Sequence, residues 1–401
     1  MLKMKWKATW KYLPVNYNAD LGEVENLTQR TVFRNNLNGE KLKLKFSNKY
    51  GRVPLAIEKV TVARKDAAGQ MRDCCIITKD GKETIVLAPG EEFYSDAVEW
   101  NVRAGEDILL FLYLKERQVI QCSASVWSTQ TTRTQYYPGG YRLETGTDGW
   151  KESREIYPYV DADVNKADII AGVTEILLYT EEQVKTIALF GDSITHMSYF
   201  SDALMNRILQ EMPGRVSVVN YGIGGNRILH DASHAPALVG EGSCFGPAGV
   251  SRFEEDVFGE DAPDLILLLE GVNDIMHPYV FQHPNEIVSA QELIQGISHM
   301  IDEAHRHERP IFVGTVMPFW NEEYTSWIEE GDRIRTALNS WIRQTAKADG
   351  VLDYDRAAAN PEQPDRMKDG IHIGGGLHPN TRGGELMAET AFRLMQEKAV
   401  L

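Results

Sequence analysis

The rhythm of hydrophobic and polar positions changes near the middle of the chain. Up to about Leu114 the apolar residues come in short runs broken by turn chemistry. Lys41 to Phe46, KLKLKF, alternates strictly, so Leu42, Leu44 and Phe46 share one face of a strand and three lysines share the other. Asn38-Gly39 just before it is a hairpin dipeptide. Ala56 to Ala63, Thr84 to Leu87, Ala97 to Val102 and Ile108 to Leu114 read as further strands, separated by turns such as Lys79-Asp80-Gly81 and Pro89-Gly90. Short strands at this spacing predict an antiparallel β-sandwich.

From about Glu181 strands alternate with helix-length segments. Thr186 to Phe190, Val216 to Asn220, Leu265 to Leu269, Ile311 to Val316 and Val351 to Tyr354 are β-type runs, and Tyr199 to Met212, Ala290 to His305 and Asp332 to Ala348 are long enough for helices. That alternation predicts an α/β domain with a parallel sheet covered on both faces. Arg382 to Lys398 then places Leu386, Met387, Ala391, Leu394 and Met395 on one helical face. The chain therefore reads as two domains, a β-sandwich with linker over residues 1–180 and an α/β domain over 181–401, which a length of 401 residues accommodates.

Charge narrows the partners. The balance of 42 basic against 58 acidic residues leaves a formal charge of -16, which argues against a nucleic-acid backbone or an anionic membrane surface. Cys74, Cys75, Cys122 and Cys244 show no CxxC spacing, so neither a disulfide framework nor a cysteine metal site is expected. The N-terminus carries lysines but no apolar core of signal-peptide length, and no run approaches the roughly 20 apolar residues of a membrane span. The expectation is a cytoplasmic protein without cofactor, its oligomeric state open.

Four loops at element ends carry the residues suited to chemistry. Gly191-Asp192-Ser193 follows the first α/β strand, and Asn220 to Arg227, with Gly225, follows the second. Gly271-Val-Asn273-Asp274 follows the third, and Gly376-Leu377-His378-Pro379-Asn380 precedes the last helix. Open α/β sheets bind ligands at the carboxyl ends of their strands, so Ser193 is a candidate nucleophile. A serine hydroxyl needs a base, and His378 is the candidate. The Ser193 and Gly225 N–H groups and the Asn273 amide could receive an oxyanion. The GxSxG elbow of α/β-hydrolases is not met, because position 195 is Thr.

In that order, GDS, GGNR, GVND and LHPN resemble the four sequence blocks of the SGNH hydrolase superfamily, also called GDSL esterases and lipases. The resemblance covers most of residues 184 to 398. It implies a flavodoxin-like three-layer α/β/α domain with Ser193 as nucleophile, Gly225 and Asn273 completing the oxyanion hole and His378 as base. LKFSNKYGRVPLAIEKVTVA in the N-terminal half is similar to the β-sandwich region that precedes the hydrolase domain in one branch. Ester hydrolysis is implied without naming the ester; a carbohydrate O-acetylesterase leads, with a lipase, a thioesterase or an inactive carbohydrate-binding protein as alternatives.

One position departs from the pattern. The family usually has Asp three residues before the catalytic His, and position 375 is Gly. Asp369-Gly-Ile-His372 meets the same spacing upstream. Either Asp369 assists His378 from a longer loop, or a backbone carbonyl orients the ring, or His372 is the base; the Pro-Asn and helix after position 378 favour His378. Asp192 and Asp274 are expected to bond loop backbone, and Glu270 to touch substrate or a neighbouring loop. Aromatic residues from Ser125 to Tyr159, and Trp320, Tyr324 and Trp327, could line a sugar or acyl site or simply pack. His299, His305 and His307 with Glu303 and Glu308 lack an HExxH pattern and read as a charged, exposed helix end rather than a metal site.

Overall fold

The computed structural model describes residues 3–65, 68–157, 167–321, 326–344 and 346–400. They form two compact units, residues 1–184 with 208–219, and residues 185–207 with 220–401.

The first unit is antiparallel. Strand Gly39–Ser47 buries Leu42, Leu44 and Phe46 completely and leaves its three lysines partly exposed, as strict alternation requires. It pairs with Val173–Glu181 on one side and with Glu92–Tyr94 and Val98–Val102 on the other, and Met4–Lys11 extends the sheet beyond Val173–Glu181. A second five-stranded sheet runs in the order Thr132–Pro138, Leu27–Arg34, Asp107–Leu114, Lys59–Lys65, Met71–Ile77. Trp10 of the first sheet meets Phe33 of the second edge-on at 4.8 Å, which joins the two layers into a sandwich. The run Ala56 to Ala63 is two strands rather than one. Leu55–Ile57 pairs with Ile85–Leu87, and the chain turns at Glu58, whose N–H donates to the Tyr113 carbonyl, before Lys59–Lys65 begins.

Part of the aromatic stretch packs this unit's interior, while Tyr141 is exposed. Tyr136, Trp150 and Tyr157 are buried, Tyr136 lies edge-on to Tyr157 at 5.3 Å, and the Arg30 guanidinium stacks 4.0 Å above Trp150. Tyr159 lies outside the described residues.

A five-stranded sheet belongs to the second unit except for Val216–Val219, which group with the first. Naming its strands by chain order, Lys185–Gly191, Val216–Gly222, Leu265–Leu269, Ile311–Gly314 and Gly350–Leu352, the spatial order is 2-1-3-4-5, the flavodoxin-like arrangement. Leu265–Leu269 is apolar throughout and buried on both faces, and it lies parallel to its neighbours on either side. Helices Tyr199–Glu211, Ala290–Arg306, Ile328–Gln344 and Thr381–Glu397 fall on predicted segments, the second opened by a Ser289–Glu292 capping box. Helices Gly249–Phe258 and Val272–Val280 are additional to the sequence reading. Among the described residues all four cysteines are free, and no helix is long and apolar enough to cross a membrane.

Candidate active site

Strand order decides which loops meet. Strands 2 and 3 flank strand 1, so the loops carrying Gly225 and Asn273 emerge on either side of the one carrying Ser193. Strand 1 ends at Gly191, and Asp192 accepts the Ile194 N–H at 2.9 Å, opening the short helix Ser193–His196. Ser193 is left partly exposed at this turn. His378 comes from a small hairpin in which the Ile373 N–H donates to the His378 carbonyl and the Asn380 N–H to the Ile371 carbonyl, both at 3.0 Å. Asn380 then caps helix Thr381–Glu397. Across 185 residues of chain the Ser193 hydroxyl lies 2.9 Å from His378 Nε2, within reach to donate its proton.

The candidate oxyanion donors are held by few contacts. Gly225 sits at φ 75°, and a Cβ there would come within 2.0 Å of the Phe245 ring, so only glycine fits. The preceding Gly224 N–H donates to His196 Nδ1 at 3.0 Å, which fixes that side of the loop. Asn273, at the start of helix Val272–Val280, donates one amide hydrogen to the Asn226 carbonyl at 2.9 Å and has a second to offer. Asp274 accepts the Ile228 and Leu229 N–H groups at 2.7 and 3.0 Å, holding the far side of the same loop. Among the described residues, no hydrogen bond engages the N–H of Ser193 or of Gly225.

The residues beside His378 differ from the sequence expectation. Asp369 is exposed and makes no hydrogen bond or ion pair with His378. His372 Nδ1 accepts the Gly374 N–H at 3.2 Å and does not reach Ser193. Gly375 occupies φ 63°, its carbonyl accepting from the Asn321 side chain at 3.0 Å. Among the described residues, burial is what acts on the partly exposed His378, pushing its pKa down to about 4, so the ring is neutral and able to accept a proton at pH 7.

Residues 189–386 match the model of the GDSL-like Lipase/Acylhydrolase family. The C-terminal domain belongs to this family. Membership makes the GDSL-like domain a hydrolase acting on ester bonds. Among curated proteins none matches the chain. Solved structures similar to it include the following three. An alpha/beta hydrolase enzyme from the metagenome of Lake Arreo, Spain, shares 17% identity over 54% of this chain and 96% of that one, with a TM-score of 0.40. A variant of an acetyl xylan esterase from Geobacillus stearothermophilus shares 18% over 53% and 94%, TM-score 0.41. A GDSL-like lipase from Bacteroides thetaiotaomicron shares 17% over 53% and 88%, TM-score 0.40.

Other residues singled out in the sequence take their places in the GDSL-like domain as follows. Glu270 is fully buried and 3.9 Å from Arg252; burial raises its pKa, as it does those of Asp192 and Asp274. Trp327 stacks on Tyr279 at 5.4 Å, so it packs, and Tyr324 lies outside the described residues. At the helix end, His299 and Glu308 are exposed, but Glu303 is buried, with its carboxylate 3.3 Å from His307. His307 also lies 3.4 Å from Glu254 and stacks on Phe258, His305 lies 2.9 Å from Asp349, and the ligand atoms of Glu254, Glu303 and His307 fall within 4.8 Å of one another. Two residues went unread in the sequence: His196, whose only signal is its place three residues after Ser193, and Arg252, inside an unrecognised helix.

Proposed function

We propose that the protein is a serine esterase that cleaves small acyl esters through an acyl-enzyme, with O-acetylated carbohydrate as its substrate class. The observation that carries the reading is the 2.9 Å approach of Ser193 Oγ to an uncharged His378 Nε2, beside unengaged oxyanion donors. Ser193 Oγ attacks the ester carbonyl and its proton passes to His378 Nε2. The carbonyl oxygen becomes an oxyanion held by the Ser193 and Gly225 N–H groups and the Asn273 amide. Collapse expels the alcohol, which takes the proton from His378. Water then repeats the sequence on the acyl-serine, with His378 again as base, releasing the acid and free Ser193.

Phe245, packed against Gly225, favours a short acyl group by narrowing the space beside the oxyanion loop. Around His378 the loop offers polar side chains, Asn321, His372 and Asp369, alongside the apolar Ile371, Ile373 and Leu377, a mixture that accommodates an alcohol carrying both hydroxyl groups and apolar ring faces. A second reading, a carbohydrate-binding protein that has lost activity, draws on the lack of a carboxylate at His378 among the described residues. Hydrolysis of p-nitrophenyl acetate by the parent and by Ser193→Ala separates the two: the esterase reading expects a loss of at least about 10⁴-fold. Equal, background-level rates would favour the binding protein. A series from acetyl to decanoyl esters tests the acyl preference, and efficient turnover of the long chains would point instead to a lipase.

A further inference from the structure

Arg252 is almost completely buried, and its guanidinium reaches the ends of two different strands. One Nη donates to the Gly191 carbonyl at 3.0 Å, immediately before Asp192-Ser193. The other donates to the Tyr221 carbonyl at 2.9 Å and to Asp256 at 2.9 Å, while Nε donates to the Asn226 side-chain oxygen at 2.8 Å, next to Gly225. The planar cation also lies 3.9 Å above the Phe190 ring, which fixes its plane. Asn226 in turn accepts from Asn273 through its backbone carbonyl. All three segments that supply oxyanion donors thus connect to one side chain.

A buried charge is costly to hold, and Asp256 alone would satisfy it with a single ion pair. The remaining bonds run to loop backbone and to Asn226, groups whose positions matter to the hole. Glu270, at the strand end before Gly271-Val-Asn273, adds a carboxyl 3.9 Å from the guanidinium, with both oxygens buried and not hydrogen-bonded. An oxyanion hole acts only when its donors hold their geometry within about half an ångström.

We propose that Arg252 is a positioning residue for ester hydrolysis, setting the mutual placement of the loops that carry Ser193, Gly225 and Asn273. The proposal rests on the esterase reading of those three residues. Arg252 does not touch the substrate. It acts through the loops, so its removal weakens binding of the transition state and not of the ground state.

The test uses the full chain carrying Arg252→Lys, which keeps the charge but cannot span the acceptors. We expect kcat to fall about 10²-fold with KM within about threefold, since misplacing a reacting group by an ångström costs about that much. The inhibition constant of a trifluoromethyl ketone, which forms the oxyanion adduct on Ser193, should rise in step with the loss of kcat/KM. Arg252→Lys combined with Asn273→Ala should cost less than the product of the single losses, because both act on one hole. A folded Arg252→Lys enzyme with parental kcat, or one whose losses multiply with those of Asn273→Ala while the ketone binds as before, overturns the proposal. If Arg252→Lys does not fold by circular dichroism, Asn226→Ala removes one acceptor without disturbing the charge and must show the same ketone signature. Activity in the parent that survives Ser193→Ala overturns the esterase reading instead, so the two failures are distinguishable.

Discussion

With no carboxylate beside it among the described residues, His378 titrates on its own burial. Desolvation holds the His378 pKa down to about 4, against an ordinary 6.5, so protonation removes the base only at low pH. The acid limb of kcat/KM is expected near pH 4, with full activity retained at pH 5.5; a limb at 6.5 or above in a pH–rate profile would contradict it. A carboxylate at position 375 would favour the imidazolium and raise the pKa, so Gly375→Asp should shift the limb upward and increase kcat. Asp369→Ala should leave the profile in place, because Asp369 points no bond at the ring. Ser193 and His378 were legible in the sequence because each sits where an element begins or ends, which fixes side-chain direction. The ring's surroundings were not. The spacing from Asp369 to His372 repeats the usual Asp-x-x-His pattern, but the turn at Gly370 leaves Asp369 in solvent, and contacts across a loop of three glycines leave no periodic trace.

Elements that place the proposed oxyanion donors were read unevenly. The strands appeared at nearly their observed bounds, since Leu265–Leu269 and its neighbours are unbroken apolar runs. Helix Gly249–Phe258 did not, because only Phe253 and Val257 among its large apolar side chains are buried and Glu254, Glu255 and Asp256 interrupt the pattern. Helix Val272–Val280 was masked by Pro278. Between strand 2 and the first of these helices, Gly225 sets the loop. Gly225→Ala meets both a positive φ and the Phe245 ring, so it should lower kcat about 10²- to 10³-fold and reduce Tm. Adding Phe245→Ala relieves the clash but not the backbone strain, and should recover part of the Tm without restoring kcat. Calorimetry and steady-state rates on the single and double variants check both statements.

For the whole molecule, buried carboxyls dominate the pH dependence of stability. Folding raises Glu270 to about 8, Asp168 and Asp192 to about 7 and Asp274 to about 6. The folded chain keeps these protons where the unfolded chain has released them, so their contribution is fullest at low pH and is lost as pH rises through those values. His277 and His378, pushed down to about 3 and 4, work oppositely, destabilising the fold as pH falls below 6.5. Above 6.5 the carboxyls act alone. Urea midpoints should therefore fall from pH 6.5 to 8.5, and a flat or rising series would refute this. At this scale the sandwich was legible only in part. Its alternating strand Gly39–Ser47 announced itself, but Met4–Lys11 pairs with Val173–Glu181 across most of the unit's length, a contact that no local pattern encodes.

The space around Gly375 has a genetic corollary. A Cβ there would find only the Asn321 amide, at an ordinary 3.6 Å, and aspartate tolerates the left-handed backbone better than most residues. Packing therefore does not bar the familiar triad from this chain, and selection for growth on an acetylated carbon source, with only codon 375 randomised, would reveal whether its natural ester rewards the carboxylate.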